Sequence, residues 1–486
     1  MPAELNALQT IGRAPPLPLT LTLPQNAGVL TITHLLRVLP GQRYVGRAEW
    51  QGRVVLAKLL VGPKAQVRYV REREGAHLLQ RFVDTSSADF PVIGTPRLLA
   101  EGFAAGQGGW LLFEFLDAAE SLETLWQNAP PDERASLLRD ALQAFAALYR
   151  QGYWQADLHL DNLLRCRGRL YLIDGGDMRA DKAPLAPEKR LENLGVFLAQ
   201  LDRSLPFFPA LLEQSGIFDT PLLPAQWDAL KTATARARHW RARDLMKKIR
   251  RDCSSFAVAR KGWLGAFGFS AFCRQDAEML APILADPDAF IAQGQLYKTG
   301  GSATVARIDL AGRTLVIKRY NIKHFWHALK RCWRPSRAWR AWREGHRLLA
   351  LGIPTARPLA VLERRYCGLR GVAYLITEHL DGPDLMATLE RFGGTLPAPR
   401  QAALESLLNA LVQERISHGD MKGHNLIWIS EPGAKEKGRE DAAGHWALID
   451  LDAMRQHGFP PDFTRAHRRD ARRLAKNGGV QTPAKD

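Results

Sequence analysis

The chain writes one unusual pattern twice. Around Asp157 it reads Gln155-Ala156-Asp157-Leu158-His159-Leu160-Asp161-Asn162, and around Asp420 it reads His418-Gly419-Asp420-Met421-Lys422-Gly423-His424-Asn425, so each aspartate has an asparagine five residues on. Each copy then enters an apolar run that ends in a second aspartate, Leu170-Tyr171-Leu172-Ile173-Asp174 and Trp446-Ala447-Leu448-Ile449-Asp450. The set combines a carboxylate able to take a hydroxyl proton with hard oxygen donors suited to Mg²⁺. A single Asp after a buried strand is ordinarily a turn residue or a helix cap. An ordered set that recurs in one chain argues against that reading.

The repeat extends upstream. Lys58 closes the apolar run Val54-Val55-Leu56-Ala57, and Lys318 closes Thr314-Leu315-Val316-Ile317, so both lysines fall on predicted strands. Each is followed by a carboxylate in matching context, Arg73-Glu74-Gly75 and Arg343-Glu344-Gly345. Next come the buried-strand patterns Trp110-Leu111-Leu112-Phe113-Glu114 and Tyr374-Leu375-Ile376-Thr377-Glu378; Glu114 precedes Asp157 by 43 residues and Glu378 precedes Asp420 by 42. The intervening stretches Arg134 to Arg150 and Arg400 to Gln413 have helical apolar periodicity. The order of parts is that of a kinase-type phosphotransferase. It assigns Asp157 and Asp420 as bases, Asn162, Asp174, Asn425 and Asp450 as Mg²⁺ ligands, and Lys58 and Lys318 as ATP phosphate ligands. Glu74 and Glu344 are expected to hold those lysines, and Glu114 and Glu378 to mark the adenine-binding hinge. The glycines Gly41, Gly46, Gly300 and Gly301 sit where a phosphate-covering loop would lie, but form no G-x-G-x-x-G pattern and fit a plain turn equally well.

At 486 residues, 46% hydrophobic and 24% charged, the chain suits more than one globular core. The expected fold is α+β: two tandem protein-kinase-like domains, 1–251 and 252–486, each with a small β-rich N-lobe and a mainly helical C-lobe. The second C-lobe is abbreviated, with 36 residues after Asp450. The second copy spaces its two aspartates by 30 residues instead of 17, an insertion assigned to a polar hairpin tip over Ser430 to Gly444. The five cysteines, Cys166, Cys253, Cys273, Cys332 and Cys367, are scattered and show no metal or redox spacing. The N-terminus lacks a signal-peptide pattern, and the uncharged run Gly262 to Cys273 is too short to span a bilayer, so a cytoplasmic protein is expected.

Net charge is +17, concentrated in segments. Lys318 to Arg347 holds ten Lys or Arg against one carboxylate, Glu344, with Trp326, Trp333, Trp339 and Trp342 interleaved. Arg334, Arg337, Arg340 and Arg343 recur every third residue, followed by Arg347 at four, close to one helical face. Further basic clusters run from Arg236 to Arg251 and from Arg465 to Lys476. Such stripes suit an anionic surface, whether phospholipid headgroups or a phosphorylated glycolipid; a solvated face with Trp in the core is the plainer alternative. No nucleic-acid recognition module is present, and the acidic loops argue against that partner.

The second half resembles the Kdo/WaaP family of lipopolysaccharide core kinases. The resemblance rests on Val316-Ile317-Lys318-Arg319-Tyr320, Ser336-Arg337-Ala338-Trp339-Arg340-Ala341-Trp342-Arg343-Glu344 and Leu351-Gly352-Ile353-Pro354. It continues through Tyr374 to Glu378, His418-Gly419-Asp420 and Ile449-Asp450-Leu451-Asp452, covering most of 290 to 475. The first half resembles the same superfamily more loosely, with Gln155 where a loop-buttressing His is usual. The resemblance implies ATP- and Mg²⁺-dependent phosphorylation of a heptose or Kdo sugar of a lipopolysaccharide core glycolipid, with peripheral contact at an anionic inner membrane. Two alternatives stay open: a small-molecule kinase of aminoglycoside or choline type, or one half, the first more than the second, serving as a regulatory pseudokinase.

Overall fold

The computed structural model describes residues 2–85, 93–201, 203, 208–259, 268–321, 334–366, 369–430 and 444–478. Trp326, Trp333, Cys332, Cys367 and nearly all of the Ser430–Gly444 insertion lie outside them. The chain divides into two compact units, Met1–Arg238 and His239–Asp486. The sequence placed this boundary at 251/252; it falls instead inside the helix Pro224–Lys248. Leu230 of that helix belongs to a core of the first unit, and Ala242 to a core of the second.

In the first unit a seven-stranded sheet has the order Ala3–Glu4, Leu19–Leu23, Gly28–Leu39, Arg43–Trp50, Arg53–Leu60, Gly108–Glu114, Leu98–Ala104. The strand Arg53–Leu60 alternates so that Val55, Ala57 and Leu59 are buried in one face while Lys58 emerges on the other. Each of those apolar side chains is worth about 1–3 kcal/mol in burial. A slip of one residue would drive Lys58 into the core, and this fixes the register. The long helix Ala65–Thr85 buries Ala65, Tyr69, Glu72, Ala76, Leu79 and Phe82, a single stripe at helical period. Below the sheet, helices Pro131–Arg150, Pro187–Leu198 and Phe208–Gln214 enclose a second core around Phe145, Tyr149 and Phe197.

The second unit repeats the central strand order. Its seven strands run Phe256–Ala259, Phe269–Cys273, Pro358–Tyr366, Leu369–Glu378, Arg313–Tyr320, Ala303–Leu310, Gln295–Lys298. Lys318 lies opposite Val305 and Leu375, as Lys58 lies opposite Val45 and Leu111. The two extra strands of each sheet are on opposite edges of the shared five. The helix Arg337–Ala350 is the counterpart of Ala65–Thr85, and its N-cap is Ser336, whose side chain accepts from the Trp339 amide. Helices Leu385–Arg391, Ala398–Gln413 and Pro460–Gly478 complete the unit. No helix among the described residues is long and apolar enough to cross a membrane.

Candidate active sites

Both aspartate loops are built alike. In the first unit, Asn162 Nδ2 donates to the Asp157 carbonyl (2.9 Å) and the Ile173 amide donates to the Asn162 carbonyl (2.9 Å). In the second, Asn425 Nδ2 donates to the Asp420 carbonyl (2.8 Å) and the Ile449 amide to the Asn425 carbonyl (3.0 Å). These bonds lace each Asn to the strand that ends in the second Asp and leave its Oδ1 as an acceptor. The carboxylates of Asp157 and Asp420 are the open members, 48% and 36% exposed. Asp420 is approached by Lys422 (3.0 Å) and Arg473 (3.7 Å), and Asp157 by His159 (3.7 Å).

The loop buttress differs between the units but its work does not. His418, fully buried, shares a hydrogen bond between Nε2 and the Ile449 carbonyl (2.9 Å). Gln155, 1% exposed, donates from Nε2 to the carbonyls of both Ile173 and Asp174 (3.0 Å each). Below this, Asp470 of helix Pro460–Gly478 accepts from the amides of His418 (2.7 Å) and Gly419 (3.1 Å). Asn193 of the first unit instead donates to the Gln155 carbonyl (2.8 Å). Neither Asp470 nor Asn193 carried a sequence signal, because their role depends on a helix distant in the chain.

Asp174 and Asp450 have left-handed backbone, φ 62° and 60°. Asp tolerates this region better than most side chains, at a cost of about 1–2 kcal/mol, and the strain recurs at the same place in both units. Each carboxylate meets its lysine. Lys58 Nζ lies 3.2 Å from Asp174, and Lys318 Nζ forms a short ion pair with Asp450. Burial alone would lower the Lys58 pKa, but Asp174 and Glu72 carry it above its ordinary value. The Lys58 ammonium holds Asp174 below the usual carboxylate range. Burial pushes the Asp450 carboxyl up, yet Lys318 beside it outweighs burial and keeps it low.

The second anchor of each lysine corrects the sequence reading. Lys58 is held by Glu72 (2.9 Å), not by Glu74, which is exposed. Arg43 takes the other oxygen of Glu72 (3.1 Å). Lys318 is held by Asp452 (3.3 Å), which also accepts from Arg337 (2.7 Å). Glu344 is fully buried and spent on Arg343 (2.6 Å) and Arg347 (2.7 Å). The matching words Arg-Glu-Gly are one residue out of structural step. Arg71 Nε donates to the Gly176 carbonyl (2.8 Å) and Arg340 Nη1 to the Asp452 carbonyl (3.2 Å), which aligns Glu72 with Ala341. A Cβ on Gly176 would lie 3.1 Å from the Glu72 carboxylate carbon. The first unit thus supplies the anion from the helix and leaves the loop bare; the second supplies it from the loop and has alanine on the helix.

Glu114 and Glu378 sit at the ends of their strands as expected, but their side chains are not on the lysine face. In the regular registers Lys58 opposes Leu111 while Glu114 opposes Val55, and Lys318 opposes Leu375 while Glu378 opposes Leu315. Glu114 is exposed, and Glu378 joins an ion-pair network with Arg313, Arg357 and Asp276 on the far face. Only their backbone can serve a nucleotide. The Trp-bearing basic helix is also used inwardly. Trp342 is fully buried, Trp339 packs edge-on to Phe269 with ring centroids 5.3 Å apart, and Arg337, Arg343 and Arg347 pair with Asp452 and Glu344.

Among the described residues no group of three or more His, Cys, Asp or Glu converges as a metal site. The Asn–Asp oxygen pair of each unit fits Mg²⁺ provided phosphate oxygens and water complete the shell, which is how that ion is usually held.

A lysine strand, an anion anchoring it, and an Asp–Asn–Asp set beneath it define the second unit as a protein-kinase-like phosphotransferase. Its residues 290–483 match the model of the lipopolysaccharide kinase (Kdo/WaaP) family. No curated protein matches the sequence. Similar solved structures include WaaP in complex with acyl carrier protein, at 18% identity over 39% of this chain and 73% of that one, TM-score 0.30. The bifunctional kinase-methyltransferase WbdD is similar at 20% identity over 43% and 52%, TM-score 0.32, so the match spans about half of that protein. Vaccinia related kinase 3 is similar at 14% identity over 48% and 88%, TM-score 0.30.

Proposed function

We propose that the chain is an ATP-dependent phosphotransferase whose acceptor is a heptose or Kdo sugar of the lipopolysaccharide inner core, and that its two units are tandem kinase-like domains. The observation that carries the reading is the Lys318–Asp450 ion pair set above Asn425 and Asp420, inside the segment that matches the family. Lys318 would engage the nucleotide phosphates. Asn425 Oδ1 and the Asp450 carboxylate would hold Mg²⁺, which when bound neutralises charge on the transferred group. Asp420, open to solvent on one side, would orient the acceptor hydroxyl and take its proton. In the first unit Lys58, Glu72, Asp157, Asn162 and Asp174 would play the same parts.

Peripheral contact with an anionic inner membrane from the cytoplasmic side is part of this proposal. Trp240, 57% exposed on helix Pro224–Lys248 with Arg243 and Lys247 on the same face, supports it. A second reading, in which the first unit binds nucleotide without turnover, is favoured by Arg43, which shares the Glu72 carboxylate with Lys58 and so divides the charge that anchors the lysine.

The test is ATP consumption with truncated core glycolipids by wild type, Asp157→Asn and Asp420→Asn. Loss with Asp420→Asn alone makes the first unit regulatory, loss in both makes both units catalytic, and full activity in both variants overturns the assignment of the bases.

A further inference from the structure

A cavity of about 450 Å³ in the second unit lies behind the Asp420 loop and includes none of Lys318, Asp420, Asn425 or Asp450 in its wall. Five arginines line it: Arg340 and Arg343 from helix Arg337–Ala350, Arg455 from the strand Arg455–Gln456, and Arg469 and Arg473 from helix Pro460–Gly478. The strand and the helix that follows it are adjacent in sequence, but helix Arg337–Ala350 lies more than a hundred residues upstream, so arginines from two distant stretches of chain line one volume. The one carboxylate in the wall, Asp470, already accepts from the His418 and Gly419 amides. Arg343 is balanced by Glu344, and Arg473 leans toward Asp420. Arg455 and Arg469 have no ion-pair partner among the described residues. Like charges gathered around a cavity repel, and the arrangement is stabilised once an anion with several oxygens enters. Planar guanidinium forks match phosphate oxygens in pairs, which selects a phosphate group over a simple halide.

We propose that this cavity is a second anion site, taking a phosphomonoester or pyrophosphate group, separate from the nucleotide site and joined to it through the Gly419 backbone and Arg473. A phosphate held by Arg455, Arg469 and Arg473 lies against the Gly419 end of the Asp420 loop and ties the strand Arg455–Gln456 to helix Pro460–Gly478, whose Asp470 braces that loop. The group has two sources of the same chemistry: a phosphate already carried by the acceptor, or a free anion that tightens the loop. As to the acceptor source, the inference rests on the function proposed above; the binding itself does not.

The probe is inorganic pyrophosphate, titrated calorimetrically into the full chain, wild type against the Arg455→Ala/Arg469→Ala double variant. Both residues are exposed, and an unchanged melting temperature confirms that the variant folds. Pyrophosphate affinity should fall at least tenfold in the double variant and severalfold in each single variant, with affinity for a non-hydrolysable ATP analogue unchanged. Equal pyrophosphate affinity in wild type and double variant, or no binding to wild type, overturns the site. The titration needs no turnover, so its result stands apart from that of the kinase assay. Two activity arms then identify the source. A rise in KM confined to already phosphorylated core glycolipid marks the acceptor's own phosphate, whereas pyrophosphate stimulation of kcat on any acceptor, absent in the variant, marks a free anion.

Discussion

Glu72 and Asp452 do the same task from different places, and Glu344, which looks like the obvious candidate, does another. Asp452→Asn removes the charge from the bond to Lys318, an interaction of the class worth about 1.5–3 kcal/mol. We expect kcat/KM per folded molecule to fall by roughly 10- to 100-fold, beside whatever stability is lost when Arg337 and Lys318 lose this buried anion. Glu344→Gln leaves Arg343 and Arg347 inside the fold without their anion, and breaking a buried pair in this way costs about 3–5 kcal/mol. Urea unfolding should show that loss, with nucleotide affinity per folded molecule unchanged; the opposite pattern would restore Glu344 as the lysine anchor. The grouping of Asp157, Asn162 and Asp174, and of their counterparts, was legible in the sequence because it follows from residue type and spacing, and the placing of Lys58 and Lys318 beside it because a strand pattern points them. The anchoring anion was not. Its identification needs the inward face of a helix, and the local word match overrode the stripe of Tyr69, Ala76 and Leu79 that singles out Glu72.

At the scale of elements, the helix and the loop after the second aspartate form one fitted joint. In the first unit Gly176 keeps space for the Glu72 carboxylate, while in the second Asp452 fills that space opposite Ala341. Gly176→Asp alone should therefore crowd two carboxylates and destabilise the first unit, whereas Gly176→Asp with Glu72→Ala should recover much of the loss. A double-mutant cycle by thermal unfolding measures the coupling, expected at about 1–3 kcal/mol; additive effects would mean the joint is not shared. On the second unit's helix, His346 is buried between Trp342 and Phe256, and burial, aided by Arg357, lowers its pKa to about 3. The folded state keeps the imidazole neutral while the unfolded chain takes up a proton below about pH 6.5. Stability is therefore full above that pH and falls by up to about 1.4 kcal/mol per unit as pH drops toward 3. His346→Phe should flatten this slope in denaturant titrations at pH 4 to 7. The strands that carry Lys58 and Lys318, those that end in Glu114 and Glu378, and the helices over 134–150 and 400–413 were foreseen from periodicity. The opposite-edge additions to the two sheets were not, since edge placement is a matter of long-range pairing.

For the whole molecule, the helix Pro224–Lys248 belongs to neither half alone. Ile249 just after it is fully buried in the second unit's core with Ala242, so a fragment starting at residue 252 lacks both, while one starting at 239 keeps them. We expect the longer fragment to be more stable by about 2–5 kcal/mol, the cost of deleting a large aliphatic core side chain; equal urea midpoints would put the boundary back near 251. The sequence missed this because a basic run, Arg236 to Arg251, reads as linker surface when its apolar members are few. The left-handed turn at Asp174 and at Asp450 decides how either half should be silenced. Asparagine keeps that turn and discards the charge, whereas alanine would add conformational strain to the chemical deletion. A panel of Asp174→Asn, Asp450→Asn and the pair together therefore removes each charge without bending the chain, and any activity lost in it reports the charge.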